Sequence, residues 1–136
     1  MDHEYFDREI QPRPGSDVNY AGHLHQRQLC ELVGSSAVAV VTPRWDEPYG
    51  LVAAEAMACG TPVAAYPRRG LTEIVTEPTG RLATATDVEA LAAAIDAAAT
   101  CDRDVVRRYA VETHGLGRMV DQYEALCRAA VMARAA

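Results

Sequence analysis

"AVAVVTPRWDEPYGLVAAEAMACGTPVAAY", residues 37–66, decides how this chain folds. Its first part, 37–43, is a near-continuous apolar run, the pattern of a strand buried on both faces of a parallel sheet. "LVAAEAMAC", 51–59, reads as a helix ended by Gly60, the residue that most readily turns left-handed past a helix end. "TPVAAY", 61–66, is a second buried strand. A strand, a helix and a strand with short joints make a right-handed crossover, the unit of an α/β parallel sheet.

The pattern continues on both sides. Downstream, "LTEIV" is about one helical turn and "TGRLA", 79–83, a last short strand. Asp87 then caps a long helix, "VEALAAAIDAAAT". From Asp102 the chain is helical with a break at "THGLG". Residues 118–136 form the C-terminal helix, with Met119, Val120, Tyr123, Leu126, Cys127 and Val131 at helical spacing. Upstream, "VNYAG" is a short strand ending at Gly22, followed by the helix "HQRQLCELVGSS" with Leu24, Leu29, Leu32 and Val33 on one side. "DHEYFDREI" opens the chain as a short helix, closed by the turn "QPRPGSD". The expected fold is a single α/β domain over 1–136, a parallel sheet flanked by helices.

Composition narrows the function. The 136 residues are 49% hydrophobic and 24% charged, which suits a folded globular chain and not a disordered one. All 13 basic residues are Arg, the net charge is −6, and no basic run exceeds Arg68-Arg69. Nucleic acid is therefore not an expected partner, because such binding rests on neutralising many phosphates. No apolar run is long enough to span a bilayer and nothing resembles a secretory signal, so a cytoplasmic protein is expected. Cys30, Cys59, Cys101 and Cys127 are widely spaced without a C-x-x-C pair, which reads as reduced core thiols. His23 and His25 lie too close in sequence to share a metal across a helix face. No metal site and no cofactor are expected.

In open α/β sheets, ligands bind beyond the carboxyl ends of the strands. The loop "RWDEPYG", 44–50, leaves the first strand at that edge and leads into a helix. Its free N–H groups and positive dipole end suit a phosphate, and Gly50 lets a backbone come close. Glu55, one turn into the helix among Ala53, Ala54, Ala56 and Ala58, suits two hydroxyls such as a ribose diol. Glu47 at the loop tip suits hydroxyls beyond the phosphates. From spacing alone a plainer reading stands beside this one. Asp46 or Glu47 complements the helix dipole, worth about 0.3–1 kcal/mol, and Glu55 is a buried carboxylate held by backbone N–H groups.

"EPYGLVAAE" resembles the E-x7-E motif of the retaining nucleotide-sugar glycosyltransferases of family 4, which have the GT-B fold. "VNYAGHL", the block 37–66, "LTEIV", "TGRLA" and "DVEALAAAI" are similar, in order, to that family's C-terminal donor-binding domain, so the resemblance covers nearly the whole chain. It implies a partial Rossmann-like sheet: the C-terminal half of a GT-B fold without its first β-α-β unit. It implies that Glu47 is the catalytic-site carboxylate on the donor sugar. The backbone N–H groups of Gly50, Leu51 and Val52 would hold the distal phosphate, and Glu55 the ribose. Arg44, Pro48 and Tyr49 belong to the same loop, and Gly22 would lie near the base. The implied donor is a UDP-, GDP- or ADP-hexose, transferred with retention and without a metal.

The family's N-terminal acceptor domain, and the unit supplying an Arg and a Lys to the diphosphate, have no counterpart among these residues. This chain has no Lys; Arg44, Arg68 or Arg69 would stand in. The expected function is thus the donor-binding portion of a hexosyltransferase, inactive as an isolated chain. The alternative is a non-catalytic nucleotide-sugar-binding or assembly module. A nucleotide-sugar epimerase of the same fold fits "CGTPV" less well. In the strand order 3-2-1-4-5-6 two strands would separate 18–22 from 37–43. Without them, 18–22 is expected to pair beside 37–43, or two chains to pair as a homo-oligomer; a missing N-terminal half is the other expected partner. The last helix would expose its Tyr123–Leu126 stripe, donate it to a neighbour, or fold it onto its own core.

Overall fold

The computed structural model describes residues 3–12 and 15–135; Met1, Asp2, Arg13, Pro14 and Ala136 lie outside the described residues, and with them the expected helix start at Asp2, part of the expected turn at Arg13-Pro14 and the expected helix end at Ala136. The chain runs α1 (His3–Tyr5, continued by a π-helical turn, Phe6–Ile10), α2 (Gln26–Ser35), β1 (Ala39–Val41), α3 (Leu51–Ala58) and β2 (Val63–Ala65). It ends with α4 (Gly70–Ile74), β3 (Gly80–Leu82), α5 (Val88–Ala98), α6 (Arg103–His114) and α7 (Leu116–Ala135). Three parallel strands form the sheet in the order β1-β2-β3. Ala39 pairs with Val63 and Val63 with Gly80, with the same register along each strand. The α/β class and the parallel sheet flanked by helices are as expected.

β2 holds the sheet together. Val63, Ala64 and Ala65 are each 0% exposed, because β2 has a strand on both sides and a helical layer on both faces. Val63 and Ala65 face Met57, Leu71 and Val106 from α3, α4 and α6. Ala64 faces Ala94 and Ala98 of α5 across a thin seam of alanines. Gly80 is required where β3 meets β2, since a Cβ there would overlap the Val63 carbonyl. Asp87 accepts a 2.7 Å bond from the Ala90 N–H, the cap expected for α5. Gly60 closes α3 at φ 79°, as its sequence position predicts.

Two expectations about the first strands fail. Residues 18–22 are not a strand and do not pair with 37–43. Val18 and Tyr20 are exposed, and the Tyr20 ring sits 4.6 Å from that of Phe6 instead. A lone strand with no neighbour gains no ladder hydrogen bonds, so water and a local aromatic contact serve this segment better. β1 is likewise not buried on both faces: it is the sheet edge, and Val40 is 48% exposed. The apolar run of 37–43 correctly signals a strand, but a run of valines does not say which sides are covered.

Two helices are also thinly attached. No residue of α2 is buried, although Val33 packs on the core. In α7 the Tyr123 and Leu126 side chains are 65% and 67% exposed, so the stripe is not folded onto the chain's own core. The chain exposes 9904 Å², against about 6,900 Å² for a compact monomer of its mass.

α3 and α4 lock together through Gly50. It stands at φ 100°, and a Cβ there would lie 2.8 Å from Leu71 Cδ2. Gly50→Ala is expected to destabilise the fold by about 1–3 kcal/mol, from left-handed strain and overpacking together. Urea unfolding measures this, and an unchanged midpoint would mean that Leu71 is not seated there.

Candidate functional site

The loop 42–50 leaves β1 at its carboxyl end and is braced from below. The Gly70 N–H donates to the Glu47 carbonyl at 2.9 Å. A Cβ on Gly70 would come within 2.7 Å of the Pro48 and Tyr49 carbonyls, so only glycine lets α4 start so close under the loop. Gly50, read from sequence as a point of close backbone approach, has the space of its missing Cβ taken by Leu71 and Ile74 of α4. Its left-handed turn also aims α3, whose first turn has no side-chain cap. The Leu51 and Val52 amides therefore sit at an open, positively polarised helix end.

Glu47 is half-buried, and its Oε2 accepts the Trp45 indole N–H at 3.1 Å. That bond holds the carboxylate over a cavity of about 340 Å³ lined also by Thr42, Pro43, Gly50, Leu51 and Val52. Glu55 is exposed, and its carboxylate makes no hydrogen bond or ion pair among the described residues. The reading of Glu55 as a buried, backbone-held carboxylate is thus overturned. Ala54 and Ala58 flank Glu55 in a second cavity of about 560 Å³, whereas Ala53 and Ala56 turn inward to the core. Leu51 lines both cavities, so the first turn of α3 lies between Glu47 and Glu55. Tyr49 lines the second cavity; Pro48 is exposed on the loop between. Arg44 and Gly22 are exposed and line none of these cavities; Gly22 stands in irregular chain at φ 69°.

Three features were not legible in the sequence. The Tyr49 hydroxyl lies 3.1 Å from His114 Nδ1, tying the loop to the end of α6 across 65 positions. The His114 ring also meets Tyr49 and Tyr109 edge-on, at 6.2 and 6.1 Å. Third, Arg68, just past β2, buries its Nε without a partner among the described residues. Only the run Arg68-Arg69 marked that spot. Among the described residues no three His, Cys, Asp or Glu side chains gather as a metal site, and no helix is long and apolar enough to cross a membrane.

An open helix start beyond the carboxyl end of a parallel strand is the place where open α/β sheets bind ligands. Comparison makes the class specific. Residues 6–112 match the family described as glycosyl transferases group 1, and the chain belongs to that family. It is 36% identical over 117 residues to a D-inositol 3-phosphate glycosyltransferase of Kribbella flavida, covering 82% of this chain and 27% of that protein. It is 42% identical over 79 residues to a glycogen synthase of Mycobacterium tuberculosis, covering 57% of this chain and 19% of that one. A GDP-mannose-dependent alpha-(1-6)-phosphatidylinositol dimannoside mannosyltransferase of the same species is 33% identical over 69 residues, 51% of this chain and 18% of that one. The crystal structure of AviGT4, a glycosyltransferase involved in avilamycin A biosynthesis, superposes with a TM-score of 0.70 at 33% identity. That match covers 91% of this chain and 40% of AviGT4, in keeping with the expected GT-B-type, Rossmann-like architecture. The chain thus spans about a quarter of its first curated relative and two fifths of that structure.

The Tyr49–His114 contact gives the site a pH dependence. Burial holds His114 below the usual imidazole value of 6.5. The unfolded chain therefore binds that proton more readily, and stability rises with pH where it titrates. The contribution of neutral His114 is full above pH 6.5 and is lost as the pH falls below it. Urea midpoints between pH 7.5 and 5.5 are expected to fall more for the natural chain than for His114→Gln. Equal falls would show that His114 is not the titrating group.

Proposed function

We propose that this chain is the donor-binding portion of a retaining, family 4-type glycosyltransferase that takes a hexose from a nucleotide diphosphate sugar. The observation that carries the reading is Glu55, an exposed carboxylate without a partner, one turn into a helix whose uncapped start separates it from Glu47. A nucleotide sugar is itself linear: ribose, diphosphate, hexose. Laid along α3, it would put ribose hydroxyls on Glu55, the distal phosphate on the amides of Gly50, Leu51 and Val52, and the hexose against Glu47. Glu47 Oε2 is engaged by Trp45, which fixes the carboxylate and leaves Oε1 for a sugar hydroxyl. A preset acceptor loses little freedom when the sugar arrives.

The diphosphate needs cations as well as amides, because Asp46 and Glu47 repel it. Arg68 is the best placed in sequence and burial: its Nε lacks a protein partner and its loop leaves the carboxyl end of β2. A charge-assisted bond of this kind contributes about 1.5–3 kcal/mol. Arg44 and Arg69, both exposed, are secondary candidates.

Transfer would retain configuration, the leaving diphosphate acting as base on the same face of the sugar. Among the described residues no group orients an acceptor or excludes water above Glu47, so transfer requires further polypeptide over the open β1 edge and the α7 stripe. The excess exposed surface supports that requirement. Acceptor-binding polypeptide, supplied in the same chain or separately, should restore transfer when present. A module that only senses nucleotide sugars would stay inactive in such a mixture.

Titration calorimetry with UDP-, GDP- and ADP-hexoses tests donor binding. Glu55→Ala is expected to weaken the bound donor by about 1–3 kcal/mol, and a 2′-deoxyribose analogue should bind natural chain and variant more nearly alike. Unchanged affinity in Glu55→Ala would remove the ribose assignment. For the sugar, Glu47→Gln should weaken the nucleotide sugar more than the bare nucleotide diphosphate.

A further inference from the structure

α2 is fastened at one end only. Thr61 Oγ1 donates to the Val33 carbonyl at 2.6 Å, and the Arg103 guanidinium donates to the Gly34 and Ser36 carbonyls at 2.6 Å each. All of these anchors lie in or just past the last turn. The earlier turns leave Leu29 and Leu32 exposed.

Beside that loose half stand two thiols. Cys59 follows α3, and a Cβ placed on Gly34 would lie 4.0 Å from its Cβ. Cys30 is one turn before Gly34 on the same helix, so its Cβ lies on the same face about 5–6 Å along. Both cysteines line one cavity of about 680 Å³ between α2 and α3, together with Val40 and Glu55. Burial first, then the neighbouring Cys30 thiol, push the Cys59 thiol up. Arg107 opposes this by favouring the Cys59 thiolate. Both thiols are free; Cys30 is open to solvent and Cys59 is half-buried. A disulfide needs Cβ atoms about 3.5–4.5 Å apart, a closure that a helix pivoting on its last turn can make.

We propose that Cys30 and Cys59 are an oxidation site, whose disulfide pins the loose half of α2 to the end of α3. The oxidant is a small-molecule disulfide, RSSR. Cys30 loses its proton to water, and its thiolate attacks one sulfur of RSSR and expels RS⁻. Cys59, deprotonated in turn, attacks the Cys30 sulfur of the mixed disulfide and expels the second RS⁻. Two protein thiols are oxidised to one disulfide, and one RSSR is reduced to two RSH. The proposal does not rest on the donor reading, and because Glu55 borders the same cavity the test is run without nucleotide sugar.

Oxidised glutathione is the probe. The folded chain is incubated with it, remaining thiols are alkylated, and peptides are mapped by mass with monomer and dimer separated first. The expected result is a Cys30–Cys59 linked peptide in the monomer, with Cys101 and Cys127 not joined to either. Hydrogen exchange of the amides of residues 29–32 should then slow at least tenfold, and reduction with dithiothreitol should reverse it. A Cys101→Ser, Cys127→Ser double variant should give the same link. Stable glutathione adducts on Cys30 and Cys59 without a link would overturn the proposal. So would a link to Cys101 or Cys127, a link between chains, or unchanged exchange in the linked monomer; the mapping on the natural chain keeps the test valid if the variant misfolds.

Discussion

Everything in this molecule hangs on β2 being covered on four sides. Its neighbours β1 and β3 take up its backbone groups, while its side chains alternate between two helical layers. Full burial of Val63 is worth about 1.5–3 kcal/mol. The alanines beside it contribute less by area but allow α5 to approach the sheet closely. Around this centre the packing is dense; away from it, toward β1, α2 and α7, it thins quickly.

That gradient places the site. The loop carrying Glu47 is soft sequence on a hard support: Gly70 beneath it, Leu71 under Gly50, Tyr49 held at His114. Glycine at 50 and at 70 serves the approach of α4 to the loop. The carboxylates themselves are held lightly, Glu47 by one indole bond and Glu55 by none among the described residues. Rigid backbone with available side chains is a good arrangement for a ligand that brings its own hydroxyls and phosphates.

The periphery has its own logic. β1 is an edge, α2 is anchored by Arg103 and Thr61 at one end, and α7 turns an apolar stripe to water. Such elements are stable locally and incompletely buried globally. They are where further polypeptide gains most area, and where a covalent tie such as Cys30–Cys59 changes motion without touching the core. The expectation that all four thiols are core residues fails here, since Cys30 and Cys127 are exposed.

Much of the fold was legible because its signals are local. The apolar runs of β1 and β2, Gly60 after α3, Asp87 before α5 and the break at Gly115 each act within a few residues, through propensity, capping or a left-handed turn. Glu47 and Glu55 were legible as a pair for the same reason, being fixed relative to one helix start. What only the tertiary structure decided was coverage. Whether 18–22 pairs, whether Val40 is inside, what Gly50 makes room for and that His114 reaches Tyr49 depend on which distant elements arrive beside them. Spacing along a chain sets the direction of a side chain on its own element, whereas burial is set by neighbours far away in sequence.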